Sequence, residues 1–251
     1  MLNTEPVSPL TDAKALDLAL LALDELANKK ASKILSYRIA DVQKFCDAII
    51  DKDDNLQIQM IEELINKGTS MKALYEEFLP ESAETLGNLW KESKLTFVEV
   101  NLGAQRLQRL ARIYENRYLG PFCMFGAGLD ILLILPEGEI HTLGLITASG
   151  IFKKNNANPF IAVGYKLHEL ENLINERDFR LIGLSLSNSK NITSCIAIAK
   201  QVRKSAKGNV PIILGGQGIR TLNSKIDLQI FDLITQSPRD ALHLITNNDN
   251  N

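Results

Sequence analysis

Apolar positions along the chain follow two regimes, which change at Tyr118-Leu119-Gly120-Pro121. Before this point they recur every three to four residues, the period of helices with one buried face. Thr11 to Leu26 reads as an amphipathic helix capped by Thr11 or Asp12, followed by a lysine-rich joint at Lys29-Lys30. Four more helices are predicted over about 33–51, 54–67, 70–92 and 96–117. The breaks between them are Asp51-Lys52-Asp53-Asp54, Gly68-Thr69-Ser70 and Ser93-Lys94-Leu95-Thr96. Thr96-Phe97-Val98-Glu99 has the spacing of a capping box and starts the last of them. Pro80 lies inside the third and predicts a kink or break, because its ring clashes with the preceding turn. Four helices with short connections predict an antiparallel bundle.

After the boundary, short apolar runs alternate with amphipathic segments. Strands are predicted at 129–135, 159–164, 180–186, 210–214 and 232–235, and helices at 142–154, 167–177, 190–206, 218–226 and 238–247. Five strands alternating with helices make a parallel, doubly wound α/β sheet covered on both faces. The chain thus divides into an N-terminal extension with a helix (1–30), a helical bundle cap (31–118) and a Rossmann-like domain (119–251).

Composition narrows the function. With 45 % hydrophobic residues the 251-residue chain can bury a sizeable core, and a net charge of −2 gives no global pull toward nucleic acid or anionic membrane. About thirty residues precede the bundle, too few for a separate DNA-reading domain, so direct DNA contact is not expected. No apolar run is long enough to span a bilayer, and the first residues do not read as a signal peptide. The three cysteines, Cys46, Cys123 and Cys195, lie far apart with no CxxC pair, as in a reducing cytoplasm. Ser-His-Asp, Walker and HExxH patterns are absent, so no enzyme activity is expected.

Ligands of doubly wound sheets bind outside the carboxyl ends of the strands, at the switch point. Three loops are predicted there. The first carries Glu139-Ile140-His141-Thr142-Leu143-Gly144, an imidazole in a strand-to-helix loop, with a glycine that lets the backbone approach a large planar ligand. The acid can hold the second ring nitrogen, fixing its tautomer. The second follows Ser185-Leu186-Ser187, and the third is Gly215-Gly216-Gln217-Gly218, where missing side chains would open a channel beside the sheet. Alone, His141 reads equally as a loop histidine without a task, and Gly215-Gly216 as an ordinary turn; their meeting at strand ends outlines a groove with a metal ligand at its mouth. Arg106, Arg109 and Arg112 read as a solvated helix face, and His168 and His243 as helix-surface residues.

In these residues the second half resembles the cobalamin-binding domains of methionine synthase and methylmalonyl-CoA mutase, which read D-x-H-x-x-G, S-x-L and G-G. The resemblance covers about residues 126–246. It implies a flavodoxin-like fold and a corrinoid whose cobalt is held by His141, the metal ligand, with the nucleotide tail running beside Ser185, Ser187, Gly215 and Gly216. Glu139 stands where that family has Asp, and Ser187 where it has Leu. The helical half adds Leu86-Gly87-Asn88-Leu89-Trp90 and Phe97-Val98-Glu99-Val100-Asn101, followed by Arg106-Leu107-Gln108-Arg109-Leu110. These resemble the PpaA/AerR antirepressors and the related SCHIC domains over about residues 55–246. The E-H pair that adenosylcobalamin light sensors carry after W-x9 is replaced by Val100-Asn101.

The resemblance implies a cytoplasmic, light- or redox-responsive regulator with hydroxo- or adenosylcobalamin between cap and sheet. Trp90 and Val100 would line the upper face of the macrocycle, and the partner would be a PpsR/CrtJ-type repressor of photosynthesis genes. Three other readings share the scaffold: a haem-binding sensor, since imidazole also serves iron; a corrinoid carrier for methyl transfer; and a module that binds no cofactor and only contacts protein.

Overall fold

The computed structural model describes residues 39–121, 128–206 and 209–248. The predicted helix over Thr11–Leu26 lies outside them. The first described element is helix α1 (39–50). It is followed by α2 (Leu56–Asn66), α3 (Met71–Ala73), a π turn (Leu74–Phe78), α4 (Leu79–Lys91) and α5 (Phe97–Leu119). The capping box predicted at Thr96 forms. Thr96 Oγ1 accepts from the Glu99 N–H at 3.2 Å, and a Glu99 carboxylate oxygen accepts from the Thr96 N–H at 2.7 Å.

Pro80 does not end the helical run, but the regular α-helix is interrupted just before it. The helix runs on through a widened turn placed just before it, in which the Leu79 N–H donates to the Leu74 carbonyl five residues back. A wider turn relieves the clash a proline ring makes with the carbonyl four residues upstream. It also turns Tyr75 toward the second half of the molecule: the Tyr75 hydroxyl donates to the Ile146 carbonyl at 3.3 Å.

From Leu129 onward strands and helices alternate as far as β4. Strand β1 (Leu129–Leu135) leads to α6 (Leu143–Lys154), β2 (Ala157–Val163) to α7 (Leu167–Glu176), and β3 (Leu181–Ser185) to α8 (Ile192–Ser205). Strands β4 (Ile212–Gly215) and β5 (Leu233–Ile234) are followed by α9 (Pro238–Asn248). All pairings are parallel and the spatial order is β2-β1-β3-β4-β5, so the strand order reverses between β1 and β3. Helices α7 and α8 pack in the core on one face of the sheet, and α6 and α9 in the core on the other. The helix predicted over 218–226 is a short 3-10 turn, Gln217–Thr221. The glycines at its start pack against the β3 loop, and turn-forming Asn223, Ser224 and Asp227 end the apolar period early.

The cap does not have a core of its own. Leu143, Ile146 and Ile151 of α6 belong to the same buried cluster as Phe45, Leu79 and Leu107 of the cap helices. Helix α5 lies along α6, with Lys153 bonded to Glu115 at 3.0 Å and Lys154 donating to the Tyr118 carbonyl at 2.6 Å near the carboxyl ends of both. Helix α5 has 23 residues and α6 has 12. At 1.5 Å per residue, α5 is therefore longer by about 16 Å, and its first turns project beyond the start of α6. The start of α6 lies next to the carboxyl end of β1, so these turns reach past the level of that edge.

Candidate functional site at the carboxyl edge of the sheet

The strand order reverses between β1 and β3, and the carboxyl edge at such a reversal is the usual ligand position in these sheets. Strand β1 leaves it through a tight turn in which the Glu139 N–H donates to the Pro136 carbonyl at 3.1 Å. Gly138 takes φ +85° in that turn, a conformation that disfavours any side chain. The turn drives Glu139 inward, to 8 % exposure, while Ile140 and His141 emerge into solvent.

Glu139 does not hold His141, contrary to the sequence expectation. Its carboxylate accepts from the Ser187 N–H at 3.3 Å, from the Ser187 hydroxyl, and from Asn191 Nδ2 at 2.9 Å. A buried carboxylate needs all the donors it can reach, and the β3 loop supplies three. The two departures from the family pattern, Glu for Asp and Ser for Leu, thus touch each other. Together they staple the β1–α6 loop to the β3–α8 loop at that edge. His141 is exposed and makes no hydrogen bond to any described residue, so both ring nitrogens are open to a ligand.

Gly144, in the first turn of α6, would carry its Cβ into open space with no atom within 4 Å. Packing does not demand a glycine there, and its absence of side chain keeps the surface beside His141 flat. Gly215 and Gly216 behave differently, and the predicted channel is not formed. Gly216 has φ +96°, and a Cβ on it would stand 2.4 Å from the Leu186 carbonyl oxygen. One on Gly218 would meet the Asn188 nitrogen and the Leu186 carbonyl oxygen at 2.9 Å, and one on Gly215 the Thr235 carbonyl at 3.3 Å. The space these glycines leave is taken by the chain's own backbone, through bonds from the Leu186 N–H to the Gly215 carbonyl and from the Gly218 N–H to the Leu186 carbonyl. Ser185 ends β3 half-buried, opposite Gly215.

The cap carries two exposed aromatic rings near the start of α5. Trp90 is 47 % exposed and Phe97 66 %, with ring centroids 6.5 Å apart. Val100 is half-buried and packs against the cap core. Arg106, expected on a solvated face, is buried and donates to the Ile49 carbonyl at 2.8 Å, the Asp51 carbonyl and the Asp54 carboxylate, tying α5 to the α1–α2 connection.

Three contacts clamp cap to sheet. Glu76 receives Arg239 on both oxygens, at 2.6 and 2.9 Å, and the Tyr118 hydroxyl at 2.7 Å. Glu84 receives Arg220 at 2.8 Å. Tyr75 stacks on Tyr118 with centroids 4.2 Å apart and presses on Gly150, where a Cβ would stand 2.5 Å from its hydroxyl. Sequence reasoning missed Tyr75, Glu76 and Arg239. Only the Pro80 anomaly marked the region as unusual.

The donor set fits a metal carried by a macrocycle. No group of three or more metal-ligating side chains occurs among the described residues. A single unpartnered imidazole suits a metal whose equatorial positions are already filled. The two buried thiols offer no ligand at neutral pH. Burial, and then the Glu139 carboxylate, push Cys195 up to about 12, and burial with Asp47 does the same for Cys46.

No family model matches the chain. A curated relative, an uncharacterised 20.5 kDa protein of Rhodobacter capsulatus from the bchF-crtJ intergenic region, is 24 % identical over 139 residues, 55 % of this chain and 72 % of that one. Among solved structures, the monomethylamine corrinoid protein of Methanosarcina barkeri superposes with a TM-score of 0.65 at 14 % identity, over 80 % of this chain and 94 % of that one. A cobalamin-binding protein of Desulfitobacterium hafniense matches more loosely, with a TM-score of 0.42 and 13 % identity over 82 % and 97 % of the two chains. The likeness to the first of these is one of fold: a helical cap set on a five-stranded, Rossmann-like parallel sheet.

Proposed function

We propose that the protein binds a corrinoid between cap and sheet, with His141 as the lower axial ligand, and works as a regulator, not an enzyme. The observation that carries this reading is His141 itself. It is exposed and unpartnered on the loop that leaves β1 at the switch point, beside the open surface of Gly144, in a chain with a corrinoid-protein fold. Glu139, Ser187 and Asn191 keep the loop in place without occupying the imidazole. Trp90 and Phe97 exclude water from the side facing the cap. A bound corrinoid would supply a cobalt centre sensitive to light and redox state.

The output we infer is antirepression: a change in ligation at His141 alters how the cap presents itself to a PpsR/CrtJ-type repressor. Two things support it, the PpaA/AerR-like residues of the cap and the genomic location of the curated relative. That location borders crtJ, a name shared with the repressors the resemblance implies. Purified protein mixed with hydroxocobalamin or with haemin separates corrinoid from haem by absorption spectrum. His141→Ala abolishes the histidine-ligated cobalamin spectrum while leaving circular dichroism unchanged. A variant that keeps the wild-type spectrum and affinity refutes the site. Methyl transfer from the loaded protein to a thiol acceptor would make it a carrier instead, and repressor binding that ignores the corrinoid would remove the regulatory half.

A further inference from the structure

Helix α5 leaves one side uncovered along most of its length. Val98, Leu102, Gln105, Arg109, Arg112 and Ile113 fall within about 100° of arc at 100° per residue. Val98 is 73 % exposed and Ile113 50 %. Two of the helix's other arginines are satisfied, Arg106 by Asp54 and Arg117 by Glu62. Arg109 and Arg112 make no ion pair or hydrogen bond to any described residue. The face is therefore apolar at intervals and carries two unanswered cations.

The chain holds a segment of the complementary kind. Over Thr11–Leu26 the helical period places Leu16, Leu20 and Leu23 in one stripe, with Asp17 and Asp24 along one side of it. The stretch carries Asp12, Asp17, Asp24 and Glu25 against Lys14 alone. Thr11–Leu26 and Val98–Ile113 are each sixteen residues, about 24 Å as helices. Residues 27–38 connect the segment to α1, and twelve extended residues reach about 40 Å. Helix α1 is itself about 18 Å long, and its last turn touches α5, where a Cβ on Gly103 would lie 3.5 Å from Ile50. The tether thus reaches the face from either direction.

We propose that residues 11–26 of the same chain dock on the exposed face of α5, leucines against Val98, Leu102 and Ile113 and acids against Arg109 and Arg112. The docked segment covers the projecting end of α5 next to Trp90 and Phe97. The contact does not depend on any corrinoid and is tested without one.

The test joins the midpoints of the two stretches, which makes it independent of their relative direction. Leu20→Cys and Gln105→Cys are placed in the full chain, with Cys123→Ser, and oxidised. A monomeric, internally crosslinked product should form at least about tenfold faster than in a control pairing Leu20→Cys with Lys204→Cys on α8, across the sheet. Arg109→Glu with Arg112→Glu should slow the crosslink several-fold, and adding Asp17→Arg with Asp24→Arg should restore it. Circular dichroism verifies that each variant is folded. Rates equal to the control, a crosslink only between copies, or a rate indifferent to charge reversal each overturns the proposal. The second outcome would give the face to another copy of the chain.

Discussion

Replacing Glu76 by Gln tests whether the cap is clamped to the sheet by charge. The Glu76 side chain is 9 % exposed and its partner Arg239 40 %. Breaking a fully buried pair costs about 3–5 kcal/mol, but a guanidinium this exposed recovers water when released, which lowers the expected loss to about 2 kcal/mol. At about 2–4 °C per kcal/mol for a chain of this size, the melting temperature should fall by about 4–8 °C. Burial pushes the Glu76 carboxyl up, but hydrogen bonds from Arg239 and Tyr118 outweigh it, so its pKa in the folded protein is lowered. A depressed carboxyl adds stability that is full above its unfolded pKa, about 4.3, and is lost as pH falls through the folded value. The gap between wild type and Glu76→Gln should therefore be flat from pH 8 to about pH 5 and close below about pH 4. Urea unfolding of the two proteins, with Arg239→Gln and the double variant, gives the coupling energy directly. Additive losses, or a gap that persists unchanged into acid, would refute the clamp.

Gly216→Ala should destabilise the fold by about 3 kcal/mol, from both its φ of +96° and the 2.4 Å approach to the Leu186 carbonyl; a near-wild-type melt would show that the loop can shift. Ser187→Ala removes the hydroxyl bonded to Glu139 and should cost about 1–2 kcal/mol, visible as faster hydrogen exchange in the 136–142 loop. Trp90, the only tryptophan and half exposed, should lose fluorescence on titration with hydroxocobalamin; unchanged emission during a spectroscopically verified binding would place the macrocycle away from the cap.

The layout of strands and helices was legible because the periods are clean and Gly120 and Pro121 punctuate them. Apolar runs such as Ile131–Leu135 have no reading except a strand buried on both faces. The site was legible only in part. His141 and Gly144 announce themselves by residue type at a strand end. The partner of Glu139 does not, because a carboxylate two residues from an imidazole and one loop away from a serine can serve either. Burial decides, and burial is a property of the assembled loops. Gly216 misled for a related reason: sequence records that a side chain is absent, not whether ligand or backbone fills the space. The same holds for Arg106 among its neighbours on α5. Its spacing matches Arg109 and Arg112, but only it faces the α1–α2 turn.

Helix α6 is shared property. Its Leu143, Ile146 and Ile151 lie in the core of the cap, and its Leu145 and Phe152 in the core of the sheet. A helix buried on two sides cannot leave one core without opening the other, so cap and sheet should unfold together in one melting transition. The loop bearing His141 feeds into the first turn of that helix. A tug on the imidazole acts on a lever that both cores grip, and the work is felt equally on either side.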